Sequence, residues 1–113
     1  MKNLFDRVWE YSKNNSYGFT INIKTFEIIK FGICVAYNET QNSFGETGLL
    51  FVINHAKTTN NIVGGWLNDE NGLYYYDSVK VFKNSELKKA IEFAKEQKQI
   101  ALFDLTNLKE III

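Results

Sequence analysis

The chain contains very few of the residue types from which disulfide frameworks and metal centres are built. Among its 113 residues are one cysteine, one histidine and one methionine, and it has no proline. A single cysteine cannot form an internal disulfide, and structural zinc needs about four ligands, usually cysteine and histidine. The sequence therefore predicts no disulfide and no structural zinc, and we expect neither a metal nor a cofactor.

The chain also lacks an excess of charge of either sign, since 13 basic residues balance 13 acidic ones. A neutral chain has no net field to attract nucleic acid or an anionic membrane. The longest apolar run, residues 49–53, is far shorter than the roughly 20 residues that span a bilayer. The N-terminal segment has charges at Lys2, Asp6, Arg7 and Glu10 in place of an apolar signal core. We expect a cytoplasmic protein without a membrane span.

Glycine patterns that bind phosphate groups are missing as well. Neither the GxxxxGK motif followed by serine or threonine nor GxGxxG occurs in the sequence. The pair Gly64-Gly65 precedes Trp66 within a strand-like segment, where glycine more often permits a close backbone approach or a bulge. No nucleotide cofactor is predicted.

Length and composition favour one folded domain over residues 1–113. Chains of about 100 to 150 residues usually form one core. The sequence is 45% apolar and 15% aromatic, which supplies the side chains for such a core. Apolar residues at helical spacing predict amphipathic helices over residues 2–13 and 85–97, the second of them capped by Ser85.

Alternating apolar and polar residues predict three pairs of strands. The segments are 17–24 and 26–37, 62–67 and 73–82, and 100–105 and 110–113. Asn71-Gly72 ends the intervening loop 68–72, and this dipeptide favours an antiparallel hairpin between the middle pair.

The segment between the first two strand pairs is ambiguous, because the apolar run 49–53 fits a buried strand as well as a helix. Ser43 and Glu46 have the spacing of a capping box, in which each side chain bonds the backbone amide of the other residue. We therefore predict a helix over residues 43–57. The resulting order, α-β-β-α-β-β-α-β-β, predicts an α+β fold with an antiparallel sheet of five or six strands and three helices over one face.

Cys34 and His55 are the conventional candidates for a nucleophile and its base. Cys34 lies in a predicted strand, where an inert packed thiol is the usual outcome. His55 lies late in the predicted second helix, where a solvated or helix-end histidine is favoured over a catalytic one. We therefore predict no catalytic residues and no enzyme. The alternative is a small hydrolase or transferase that uses Cys34 and His55.

Two carboxylates, Asp77 and Asp104, interrupt predicted strands. Asp77 shares one strand face with Tyr75 and Val79. A half-buried carboxylate is costly unless it is hydrogen-bonded, so we favour a satisfied link to a turn or a tyrosine hydroxyl over a binding role.

The aromatic residues of the predicted hairpin give the strongest indication of binding. Trp66, Tyr74 and Tyr76 are predicted to bind a partner protein, because aromatic rings of this kind anchor protein interfaces. The alternative is cross-strand packing that only stabilises the sheet. The same rings could stack on single-stranded bases, but Arg7 is the only arginine and no lysine cluster lies beside them. We therefore expect contact with nucleic acid at most within a ribonucleoprotein complex.

Four stretches of the second half resemble small uncharacterised accessory domains encoded by phages and mobile elements, some of them modules of large polyvalent phage proteins. The stretches are Gly64-Gly65-Trp66, Tyr74-Tyr75-Tyr76-Asp77-Ser78-Val79, Ala90-Ile91-Glu92-Phe93-Ala94 and Gln99-Ile100-Ala101-Leu102-Phe103-Asp104-Leu105. The resemblance covers residues 62–113 and is specific for hairpin-helix-strand packing rather than for function.

The resemblance implies a non-enzymatic accessory module of phage or mobile-element origin that binds a host or viral protein. From that origin we expect counter-defence, such as anti-CRISPR inhibition of a nuclease, as one use. Such modules often have Asn-Gly where this chain has Gln97-Lys98, so we expect the third helix to end without the usual left-handed residue.

Overall fold

The computed structural model describes residues 3–113, which form three helices and eight strands. The helices are α1 (Leu4–Lys13), α2 (Gly45–Lys57) and α3 (Leu87–Glu96). The strands are β1 (Phe19–Asn22), β2 (Glu27–Ile28), β3 (Ile33–Ala36), β4 (Ser43–Phe44), β5 (Ile62–Asn68), β6 (Leu73–Phe82), β7 (Ala101–Asp104) and β8 (Lys109–Ile112). The α+β class is confirmed, with more strands than expected. Lys2, at the start of the predicted first helix, lies outside the described residues.

All strand pairings are antiparallel, and the strand order is β2-β1-β5-β6-β3-β7-β8, with β4 also beside β6. The long strand β6 joins the two halves of the sheet. Its first half pairs with β5 on one side and with β4 on the other, and its residues 79–82 pair with β3. The predicted hairpin of β5 and β6 is present, and Gly72 in its turn has a φ of +73°.

All three helices pack against the same face of the sheet, as predicted. Tyr76 and Phe82 lie an even number of residues apart on β6, so their side chains point to the same side. Tyr76 belongs to a core with Val8 of α1 and Val52 of α2. Phe82 belongs to a second core with Ala90 of α3. We call this side the helix face and the opposite side the outer face.

The outer face is concave. The Thr20 side chain of β1 lies close enough to the thiol of Cys34 on β3 to lower its pKa, although β5 and β6 lie between these two strands. In a flat sheet, strands three positions apart are separated by about 14 Å. The sheet must therefore coil strongly, and this coiling buries Thr20 and Val79 on the outer face, which have 6% and 3% of their surface exposed.

The predicted strand over residues 26–37 is two separate strands, β2 and β3. The break occurs at Gly32, whose φ is +107°. A Cβ atom there would lie 2.7 Å from the carbonyl oxygen of Phe82, so only glycine fits without displacement. The chain turns at this residue, and β3 pairs with β6 and β7 instead of with β1.

The predicted capping box at Ser43 is wrong. Ser43 belongs to β4, lies opposite Tyr76, and donates its hydroxyl hydrogen to the carbonyl oxygen of Thr40 at 2.8 Å. Helix α2 begins at Gly45, and its N-cap residue Phe44 makes no side-chain cap. Gly48 lets the helix begin close to β4, since a Cβ atom there would lie 2.8 Å from the carbonyl carbon of Ser43.

Both ends of the third predicted helix differ from expectation. Ser85 is not its cap, because it lies inside a 3₁₀ turn (Asn84–Glu86) that precedes α3. After the last helical residue, Lys98 adopts a left-handed conformation with a φ of +57°. A left-handed residue therefore does follow the helix, and it is a lysine instead of the usual glycine or asparagine. Among residues 3–113, no helix combines the length and apolar character needed to cross a bilayer.

Candidate functional site

Three aromatic side chains form a row across the outer face. Phe44 on β4 and Trp66 on β5 lie directly opposite Tyr75 on β6, one on each side of it. The Trp66 and Tyr75 rings stack with centroids 5.3 Å apart and planes at 21°. The Phe44 ring meets Tyr75 edge-on at 5.7 Å. Phe44 is 48% exposed and Trp66 is 44% exposed. We call Phe44, Tyr75 and Trp66 the aromatic row.

Of the three residues predicted to bind a partner, only Trp66 lies in this row. Tyr76 is on the helix face, is 1% exposed, and donates its hydroxyl hydrogen to Ser12 Oγ at 2.7 Å. Tyr74 is half-buried on the same face and donates to the carbonyl oxygen of Asn15 at 2.7 Å. Burial raises the pKa of both phenols. The expectation that Tyr74 and Tyr76 form the docking surface is therefore corrected, since both rings belong to the core side of the sheet.

Asp77 lies on the outer face, two residues along β6 from Tyr75. Its side chain is half-buried. This burial raises the pKa of the carboxyl from 3.8 to about 6, while a hydrogen bond donated by the Trp66 side chain acts in the opposite direction. The ion pairs of the described residues join His55 to Glu39 and Lys89 to Glu86, so no described cation pairs with Asp77.

Cys34 lies in β3, in a strand as predicted, and its side chain points to the outer face. Burial, together with the charge of Asp77, raises the pKa of this thiol to about 12, although a hydrogen bond with Thr20 acts in the opposite direction. The thiol is protonated at neutral pH, and the thiolate is the form that reacts as a nucleophile.

His55 belongs to a hydrogen-bonded cluster on the helix face. Its Nδ1 atom lies 2.8 Å from Ser78 Oγ, and its Nε2 atom lies 3.2 Å from a carboxylate oxygen of Glu39. The Tyr37 ring packs edge-on against the imidazole at 5.0 Å. Thr40 accepts the backbone N–H of Ser78 at 3.1 Å.

The order serine, histidine, glutamate is that of an acyl-transfer triad, in which the base takes the proton of the nucleophile. Here the serine is closed off, because Ser78 has 0% of its surface exposed between β6 and α2. A substrate carbonyl has no route to its hydroxyl in this conformation. The cluster therefore links α2 to β6 and the Tyr37–Thr40 segment.

Cys34 and His55 do not form a pair. Cys34 lies opposite Val81 on β6, whereas His55 bonds Ser78 on the same strand. Residues 78 and 81 have opposite parity, so their side chains point to opposite faces. The sheet thus separates the thiol from the imidazole.

Asp104 closes the turn between β7 and β8. Its carboxylate accepts hydrogen bonds from the Asn107 side chain at 2.7 Å, the Asn107 backbone at 3.1 Å and the Asn84 side chain at 3.0 Å. These donors hold the pKa of the carboxyl below its usual range. The arrangement agrees with the predicted satisfied link to a turn.

The metal-ligating side chains and two open hollows of the described residues give no further candidate site. No cluster of three or more histidine, cysteine, aspartate or glutamate side chains suited to a metal ion occurs in residues 3–113. Two open hollows of about 350 and 390 Å³ each contain one titratable side chain, Lys83 in the first and Glu46 in the second. Neither hollow offers an acid and base together.

Sequence reasoning missed Phe44 and Tyr75 in the row, and Ser78 and Glu39 beside His55. Phe44 falls within the predicted helix over residues 43–57, and no local pattern distinguishes the two-residue strand β4. Tyr75 was already grouped with Asp77 by the two-residue period of β6, and the register of the hairpin is the signal that places both beside Trp66. Comparisons with protein-family models, with curated proteins and with solved structures gave no significant match.

Proposed function

We propose that the chain is a protein-binding module that docks a partner through the aromatic row. One observation carries the proposal: Phe44 and Trp66 are 48% and 44% exposed while both contact Tyr75 on a sheet face that carries none of the three helices. Rings held on strands lose little conformational freedom when a partner covers them, and aromatic side chains supply much of the binding energy at protein interfaces. The row is the kind of rigid apolar surface that a protein partner buries.

A protein partner fits the row better than a nucleic acid does. Binding of single strands combines stacked aromatic rings with a positively charged groove. The cations that lie over aromatic rings in the described residues contact Phe26, Trp9, Phe82 and Phe93, and none contacts the row. The group beside the row is a carboxylate, Asp77, which would repel phosphate. The chain would then contact nucleic acid only as part of a ribonucleoprotein complex.

The placement of the reactive side chains supports a binding role rather than catalysis. Cys34 and His55 are on opposite faces of the sheet, and the Ser78 hydroxyl is closed off from solvent. The finer expectations rest on the resemblance over residues 62–113. They are an origin in a phage or mobile element, action in the cytoplasm on a host or viral protein, and counter-defence against a nuclease.

The test is affinity capture with the tagged chain in extracts of its native host, followed by affinity measurement with each captured protein after purification. The variants are Trp66→Ala and Phe44→Ala. Phe31→Ala serves as the control, because Phe31 is 72% exposed but lies outside the row. We expect a captured protein whose affinity falls at least about tenfold with each row variant, as for an interface hot spot, and stays unchanged with Phe31→Ala.

Two outcomes would contradict the proposal. Full retention of every captured protein by both folded row variants would place the docking surface elsewhere. Capture of nucleic acid alone, with an affinity that falls steeply as salt rises, would favour a nucleic-acid-binding domain.

A further inference from the structure

We propose that Asp77 and the aromatic row together recognise an arginine side chain of the partner protein. The inference rests on the proposed function and adds the chemistry of the contact. It assigns Asp77 as the group that binds the guanidinium and Trp66 as the ring on which the guanidinium stacks.

The geometry places a carboxylate beside an exposed indole. Asp77 lies opposite Gly64 on β5, and Trp66 lies two residues from Gly64 on the same face. The Trp66 side chain lies close enough to the Asp77 carboxyl to lower its pKa, so the carboxylate lies next to the indole ring. We expect a guanidinium stacked on the exposed part of this ring to reach the carboxylate.

The charge of Asp77 is uncompensated within the described chain. Lys80 is close to Asp77 along β6, but it lies on the helix face, with its ammonium 5.2 Å from the ring centre of Phe82 and 5.1 Å from that of Phe93. Cys34, whose pKa is raised by burial and by the charge of Asp77, is a neutral thiol at pH 7. A half-buried carboxylate without a cation is costly, and a cation from a partner removes that cost.

Arginine fits this arrangement better than lysine. Its guanidinium is planar, stacks on aromatic faces and forms two parallel hydrogen bonds to a carboxylate, whereas an ammonium is a compact, strongly hydrated charge. A cation over a tryptophan ring is attracted by the negative face of the ring. The site therefore offers the guanidinium both a stacking surface and an anionic acceptor.

The test is a titration of the ¹⁵N-labelled chain at pH 7.5 with a short blocked peptide that has one arginine between two glycines. The chain has two tryptophans, so the spectrum contains two indole N–H signals. Trp9 packs against Phe5 and Tyr76 on the helix face and serves as the internal reference. We expect the Trp66 indole signal to shift saturably at millimolar peptide while the Trp9 signal stays in place.

Three controls define the chemistry of the contact. A peptide with citrulline, which has the shape of arginine without its charge, should bind at least about tenfold more weakly, and so should a lysine peptide. Asp77→Asn should lower the affinity of the chain for the arginine peptide at least about tenfold. Asp69→Asn removes the same charge from the exposed loop of the same hairpin and should leave the binding unchanged.

The outcomes separate this inference from the proposed function. Equal shifts with the arginine and citrulline peptides, or undiminished binding by Asp77→Asn, would overturn the arginine site. A captured partner whose affinity falls with Trp66→Ala but not with Asp77→Asn would contradict the arginine site alone and would still support docking through the aromatic row. A partner whose affinity is unchanged by both Trp66→Ala and Phe44→Ala would contradict docking through the aromatic row itself.

Discussion

The hydroxyl of Tyr76 donates a hydrogen bond of 2.7 Å to the hydroxyl of Ser12, and this bond joins the middle of the sheet to α1. The direction follows from the single hydrogen of Ser12, which is donated to the carbonyl oxygen of Trp9 at 2.7 Å. The Tyr76 ring also packs at 6.4 Å from Trp9. Tyr76 is thus part of the packing between α1 and the sheet, in a place where a partner protein cannot reach it.

We expect Tyr76→Phe to lower the free energy of unfolding by about 1 kcal/mol. The substitution keeps the ring and removes one buried hydrogen bond, while Ser12 retains its bond to Trp9. Urea unfolding followed by circular dichroism measures the change. Tyr75→Phe is the matched control, because the Tyr75 hydroxyl accepts only an exposed bond from Asn71 at 2.9 Å. An equal loss of stability in both variants would contradict the assignment of Tyr76 to the core.

The two adjacent glycines of β5 are expected to respond differently to alanine. A Cβ atom on Gly65 would lie 2.4 Å from Phe19 Cε1 and 2.8 Å from Tyr74 Cε1, because those two rings stack over this residue. A Cβ atom on Gly64 would meet its nearest atom, Val79 Cγ1, at an ordinary 3.6 Å. Gly65→Ala should therefore cost about 1 to 3 kcal/mol of unfolding free energy, as overpacking does.

Gly64→Ala serves as the control and should change the unfolding free energy by less than about 1 kcal/mol. Denaturant titration of the two variants side by side makes the comparison. Similar stability of Gly65→Ala and Gly64→Ala would show that Phe19 and Tyr74 can move apart without cost.

The pattern of apolar residues predicted the helices and the β5–β6 hairpin because each of them is encoded by a local period. The error in the binding surface came from the register of that hairpin. A five-residue loop, 68–72, would pair Leu67 with Leu73 and place Trp66 opposite Tyr74. The hairpin instead pairs Asn68 with Leu73 and Trp66 with Tyr75. One residue of difference in the loop exchanges the two faces, and loop length is set by turn geometry that the sequence specifies only weakly.

Other parts of the fold depend on contacts between distant residues. The two-residue strand β4 exists because Ser43 and Phe44 pair with β6, a partner about 30 residues away. The cluster of Ser78, His55 and Glu39 also joins three separate segments. Local propensity does not encode such pairings, so the sequence predicted a helix cap at Ser43 and a solvated or helix-end His55.

Cys34 is expected to react slowly with thiol reagents in the folded protein. Its pKa of about 12 leaves only a very small thiolate fraction at pH 8. Labelling with a chromogenic disulfide should be at least about a hundredfold slower in buffer than in 6 M guanidinium chloride, where the thiol regains an ordinary pKa. Absorbance at constant pH follows the reaction. Fast, complete labelling of the folded chain would support the enzyme alternative that uses this thiol.

The stability contributed by Asp77 should fall as pH rises from 4 to 7. The folded-state pKa of this carboxyl is raised from 3.8 to about 6, so between these values the folded state holds a proton that the unfolded state has released. The contribution of the protonated form is fully present below about pH 3.8 and is lost as pH rises through 6. Its total is at most about 3 kcal/mol.

Asp77→Asn removes this titration and keeps nearly the same side-chain size. The variant should therefore gain stability relative to the unaltered chain as pH rises from 4 to 7, and level off above that. Urea unfolding of both proteins at four or five pH values gives the difference, in which the contributions of all other titrating groups cancel. Asp69→Asn changes a residue of the exposed loop, and its free energy of unfolding should change with pH as that of the unaltered chain does. A difference between Asp77→Asn and the unaltered chain that does not change with pH would mean that the pKa of Asp77 is the same in the folded and unfolded states. Asp77 would then not be the buried, cation-free carboxylate on which the arginine site rests.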